Sequence, residues 1–231
     1  MTYIVLILSV IIGALLVEVL KKINANAIKL ILAFSGAYLF AISAFHFLPE
    51  VYSTNGKQIG LFLLIGFILQ IILEFFSKGI EHGHGHLQNK SIPISMLISL
   101  AIHAYLEGMP LGGMEHHNHT HSNFESSLLT GIAIHKIPVS IVLMSLFNEA
   151  GFSKTKSFCL IGVFALMAPL GTLTGSLIQE ISTYQNEIMA IVVGIFLHIS
   201  TTILFESSEG HKFNLQKLVV IMIASLLAWM A

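Results

Sequence analysis

Apolar residues in this chain come in long runs separated by short polar stretches. The runs fall near residues 2 to 20, 27 to 48, 59 to 77, 91 to 113, 126 to 147, 156 to 179, 188 to 206 and 213 to 231. A helix needs roughly 20 apolar residues to cross the hydrocarbon of a bilayer. The pattern therefore predicts an all-α membrane protein with eight transmembrane helices. Because the links between runs are short, residues 1–231 read as a single domain. An apolar run at the amino terminus can also be a cleaved signal peptide, which carries its basic residues in front. Here Lys21 and Lys22 follow the first run, so it reads as a retained helix.

Composition agrees. With 55% of residues apolar and 10% charged, the chain is too hydrophobic for a soluble domain of this size. Every basic residue is lysine and every acidic one glutamate, in almost balanced numbers, so no basic patch points to nucleic acid. Cys159 is the single cysteine, which excludes a disulfide or a thiolate zinc site within one chain and leaves a small packing residue.

Cytoplasmic loops hold the excess of lysine in membrane proteins. Placing the amino terminus outside puts Lys21, Lys22, Lys29, Lys78, Lys90, Lys154, Lys156, Lys212 and Lys217 on the cytoplasmic side, with Lys57 outside and Lys136 within the membrane. Both termini are then extracytoplasmic. Short loops without a targeting extension point to a bacterial plasma (inner) membrane.

The chemistry sits in two stretches, His103 to Pro110 in the fourth run and His135 to Pro138 in the fifth. His103 and Glu107 are four apart, so on a helix they share a face and can hold one cation between them. His135 can add a third ligand from the next helix. Counting along each run at about 1.5 Å per residue places His103, His135 and His198 near the bilayer midplane. His46 and Glu50 mark the outer end of the second helix, and Glu74, Glu206 and Glu209 mark inner ends. Each of the two stretches also carries a proline, which removes a helical hydrogen bond and predicts a broken turn. Ionisable groups at such depth are costly, and a pathway is the default explanation.

The reading is a metal-ion transporter and not an enzyme. Two imidazoles and one carboxylate suit Zn²⁺, and the same set accepts Fe²⁺, Mn²⁺ or Co²⁺. Histidine-rich stretches at residues 81–86 and 115–121 are compositional metal binders that would capture or buffer ions. The rival readings are a metal-binding sensor or degenerate carrier that does not transport, and a membrane-embedded zinc hydrolase. Against the hydrolase, the chain has no His-Glu-x-x-His pair.

The stretches HAYLEGMPLGG, AIHKIPVSIVL and SGAYLFAISAFHFLPE resemble the fourth-, fifth- and second-helix patterns of the ZIP family of divalent-metal transporters. That resemblance covers essentially the whole chain. It implies a ZIP-like bundle in the lipid bilayer that moves Zn²⁺, and in some members Fe²⁺, Mn²⁺ or Cd²⁺, into the cytoplasm. It also implies a homodimer and a transport bundle that slides against a scaffold. Carried over by position, His103, Glu107 and His135 are the metal ligands; from their own depth and position along the spans, His46, Glu50, Lys136 and His198 are accessory candidates. Three departures from the pattern stand out. Val139 occupies the place of a fifth-helix glutamate, Ala104 and Lys136 replace the ligands of a second metal site, and Ala168 replaces an acid before Pro169. The expectation is a one-metal site in which the Lys136 ammonium, beside Glu107, stands in for the second cation.

Overall fold

The computed structural model describes residues 1–20, 24–53, 56–80, 91–114, 122–178, 183–206 and 215–231. They form eight helical segments: α1 Thr2–Leu20, α2 over residues 25–52, α3 Gly56–Ser77, α4 Ile94–Met114, α5 Ser122–Glu149, α6 Lys154–Leu177, α7 Gln185–Glu206 and α8 Leu215–Met230. Each predicted run is matched by one helix. Among the described residues, seven helices are long and apolar enough to cross a membrane, and Leu215–Met230 is a shorter apolar helix. The chain is an integral membrane protein. Both histidine-rich stretches, Lys21, Lys22, Lys90, Lys212 and Glu209, together with the side chains of Lys57 and Glu206, lie outside the described residues.

The prolines act differently from expectation. A broken turn is expected at Pro110 and Pro138, yet α4 and α5 continue through both as regular helix, as α6 does through Pro169. The distortion falls in α2 instead. Ahead of Pro49, residues Ser43–Phe47 widen into a π-turn in which the Leu48 N–H donates to the Ser43 carbonyl. An extra residue in the turn relieves the clash between a proline ring and the carbonyl four residues back.

Helices pair closely: α4 along α6, α3 along α7, α1 along α5 and α2 along α8. The remaining contacts sort these pairs into two groups of four, α1, α4, α5, α6 and α2, α3, α7, α8, which meet through α2 with α5 and through α4 with α3 and α7. Membrane helices gain little from the hydrophobic effect on meeting, so close backbone approach at small residues must hold them. A Cβ at Gly108 would stand 2.2 Å from the Ala168 carbonyl oxygen, and one at Gly171 2.0 Å from that of Tyr105, so α4 and α6 touch backbone to backbone. Gly66 and Gly194 do the same between α3 and α7. At the seam between the groups, Gly131 on α5 meets only the Ile42 and Leu39 side chains of α2, at 3.7 and 3.8 Å.

Polar contacts fasten the ends. The Lys154 ammonium lies 2.8 Å from Glu18 Oε2 and Asn148 Nδ2 donates to Glu18 Oε1 at 3.1 Å, joining α1, α5 and α6. Glu18 therefore has an interhelical role. Cys159, expected to pack, is exposed on α6.

Replacing Gly171 with valine should force α6 off α4 and lower the stability of the purified protein by more than about 2 kcal/mol. Gly162→Ala, where nothing lies within 4 Å of the added carbon, should leave it unchanged. Thermal unfolding followed by size-exclusion chromatography reads both. A Gly171→Val protein as stable as its parent would rule out the backbone contact.

Candidate metal centre

Four side chains converge halfway along α4 and α5. His103 and Glu107 come from one face of α4, with His103 Nε2 3.5 Å from Glu107 Oε2. His135 and Lys136 come from α5, which crosses the same level. The His103 and His135 rings stand edge to face with centroids 6.1 Å apart. The Lys136 ammonium makes an ion pair with Glu107 Oε1, and sits 5.0 Å above the Phe164 ring of α6. All four are buried, none more than 2% exposed.

Local sequence explains the placement. Gly108 follows Glu107 directly and lets α4 lie against Ala168 of α6, which brings Phe164, one turn earlier on α6, towards the same level. Ala104 and Val139, at positions where a carboxamide or carboxylate would have broadened the ligand set, are packed into the core at 0% and 2% exposure. Ala168 is likewise fully buried. The remaining donor set is two imidazoles and one carboxylate, and half of that carboxylate faces an ammonium.

Burying two opposite charges costs several kcal/mol per ion unless they are paired and well bonded. Glu107 and Lys136 are paired with each other, and the Phe164 ring face adds a weaker attraction for the cation. Their charges cancel, so the cluster is neutral when both histidines are neutral.

In this conformation no three of the described His, Cys, Asp and Glu side chains stand ready to grip a metal ion together. Two imidazoles on one tetrahedral zinc, each bound at about 2.0–2.1 Å, bring their ring centres to about 5 Å, against the 6.1 Å here.

Of the accessory candidates Lys136 joins the cluster, whereas His46, Glu50 and His198 lie elsewhere. His46, in the π-turn of α2, donates from Nε2 to the Ala228 carbonyl of α8 at 2.9 Å, tying these two helices together near their carboxyl ends. Beside it, the Ser127 hydroxyl donates to the Ala231 carbonyl at 3.3 Å, so two polar side chains serve the carboxyl end of α8. Glu50 follows one turn after His46, and its carbonyl accepts from the Ser53 hydroxyl. His198 on α7 turns to α3, where Nε2 lies 2.5 Å from Glu74 Oε2 and Phe67 packs edge-on at 4.9 Å. Glu74, read from sequence as a boundary marker, is thus the partner of His198. Two cluster neighbours carried no signal in the sequence: Phe164, an aromatic in an apolar run, and Ser35, whose Oγ lies 3.2 Å from His135 Nδ1.

A family profile described as ZIP zinc transporter matches residues 81–230 of the chain. Protein zntD of Dictyostelium discoideum is 28% identical over 156 residues, covering 59% of this chain and 22% of zntD. Zinc transporter ZIP9-B of Xenopus laevis is 25% identical over 128 residues, covering 52% of this chain and 40% of that protein. The chain spans less than half the length of either relative.

Glu107→Gln should cost roughly 3–5 kcal/mol, because it strands the buried Lys136 charge. The double variant Glu107→Gln with Lys136→Met, which removes both charges, should recover most of that loss. Chemical denaturation of the purified proteins measures the pair, and an unperturbed single variant would mean that the two side chains are not an ion pair in the membrane.

Proposed function

The chain belongs to the ZIP zinc transporter family, and on that premise we propose that it carries divalent transition-metal ions, chiefly Zn²⁺, into the cytoplasm through His103, Glu107 and His135. What supports this reading is that two imidazoles and a carboxylate from α4 and α5 lie in one buried cluster halfway along both helices. Residues 1–231 act as one transport domain, and the bacterial plasma membrane and a homodimer are its proposed setting.

The cation is held by neutral imidazole nitrogens and one carboxylate oxygen. Lys136 keeps the other oxygen, so that a single divalent ion binds where the family pattern accommodates two. In this role Lys136 is a tethered cation that lowers affinity. At an effective dielectric constant of about 20, a unit charge some 4 Å away is worth roughly 4 kcal/mol, enough to shift a binding constant by orders of magnitude. Weak holding suits a carrier, which must let its cargo go. Movement is proposed to follow the seam between the two helix groups. Glycine contacts lock α4 to α6 on one side and α3 to α7 on the other, whereas Gly131 meets α2 through side chains alone.

The purified protein in liposomes should accumulate Zn²⁺, and His103→Ala should reduce uptake at least tenfold. Lys136→Ala should bind Zn²⁺ at least tenfold more tightly and turn over more slowly. Binding without flux in the unaltered chain would favour a sensor, a reading to which the hold of Lys136 on Glu107 lends weight. Lipid or peptide turnover would favour a hydrolase. If Lys136→Ala changed neither affinity nor uptake, the tethered-cation role would be abandoned.

A further inference from the structure

Serine hydroxyls within the spans largely bond back to their own helix. Ser9 donates to the Leu6 carbonyl at 2.8 Å, Ser140 to Ile137 at 2.9 Å, Ser145 to Ile141 at 2.7 Å and Ser200 to Leu197 at 3.2 Å. Such bonds satisfy the hydroxyl locally and say nothing about a site. Ser35 departs from this. It is 1% exposed on α2, and its Oγ meets Nδ1 of His135 on α5 at 3.2 Å. The bond crosses the seam between the two helix groups and ends on a ring of the candidate centre.

We propose that Ser35 is a positioning residue for cation binding, which accepts the Nδ1 proton of His135 and thereby commits Nε2 to the metal. The inference rests on the reading of His135 as a ligand. A neutral imidazole carries one N–H, and only the other nitrogen has a lone pair for a metal. When a cation takes Nε2, the proton must be on Nδ1, and in a buried site that proton needs an acceptor. Ser35 Oγ is at hydrogen-bond distance from that nitrogen. Outer partners of this kind fix both the tautomer and the ring orientation, and their loss typically weakens metal binding 10–100-fold. Ser35 touches the ligand and not the cargo. Its effect should therefore appear in affinity and leave the chemistry of the cluster otherwise intact.

The test uses the full chain in liposomes with Zn²⁺ as cargo. Ser35→Ala should raise KM 10–100-fold while kcat changes by less than about twofold, and Ser35→Thr, which restores a hydroxyl, should return KM to near the parent value. Nitrogen NMR of histidine-labelled protein, with the His135 signal assigned by its loss in His135→Gln, should show Zn²⁺ on Nε2 and a proton on Nδ1. Coordination through Nδ1 would overturn the proposal, as would a Ser35→Ala protein with unaltered KM. In both cases the site itself would stand. Should Ser35→Ala fail to fold, the spectrum of the unaltered chain still decides. If His135→Ala leaves KM unchanged, His135 is not a ligand, and the site reading falls together with the role of Ser35.

Discussion

A carboxylate at the middle of a membrane has to be answered by something positive. Glu107 is answered by Lys136, one helix away, and this pairing constrains the rest of the cluster. It requires α4 and α5 to cross at one level, with both side chains shut away from lipid. It also requires α6 to come close enough to α4 to complete the enclosure, which Gly108 and Gly171 permit by giving up their side chains. His103 then shares the carboxylate from its own helix, one turn away. Electrostatic cost and helix packing are here a single constraint, because the charges are affordable only while the glycine-lined contact keeps them enclosed.

The same small residues divide the molecule. Backbone contact through glycine leaves no slack, so α4 with α6 and α3 with α7 are stiff units. Where α5 faces α2, ordinary side-chain contact takes over, and such surfaces can re-pack in more than one arrangement. Glu18, Asn148 and Lys154 bind α1, α5 and α6 to one another at one end, and His46 binds α2 to α8 at the other. Ser35 to His135 runs across the seam to the ring of a candidate ligand. Ser99 to the Leu73 carbonyl and Gln185 to the Pro110 carbonyl also cross between the two groups as plain fasteners, whereas the Ser35 link ends on a ring of the candidate site.

How much of this could be read from the sequence follows from which forces act locally. Hydrocarbon thickness sets the length of every span, so all eight helices and their approximate ends were legible in the runs of apolar residues. The stacking of His103 on Glu107 was legible too, since four-residue spacing on a helix leaves little choice, and so was the neighbourhood of Lys136 and Glu107. The proline expectation failed at Pro110 and Pro138 because a helix enclosed by partners tolerates one missing hydrogen bond, and the distortion went to Pro49, where the chain could add a residue to the turn. Partnerships set by the rotation of one helix against another were not legible. Glu74 with His198, His46 with Ala228 and Ser35 with His135 join residues 100 or more apart. No periodicity within a single run encodes such pairings.

The charge count of the cluster also argues for how it would handle an ion. Two neutral imidazoles, one carboxylate and one ammonium sum to zero, whereas the same ligands without Lys136 would carry one negative charge. A divalent cation arriving in the first case meets no net attraction from the cluster and must draw Glu107 partly away from an existing partner. It therefore binds by exchange, since what it gains from the carboxylate is offset by what Lys136 loses. On the reading proposed for this chain, an ion can leave as readily as it enters, because the ammonium is always there to take the carboxylate back. Two carboxylates bridging two metals would bind more tightly and release more slowly. On that same proposed reading, Lys136 in the place of a second metal trades affinity for a site that resets itself.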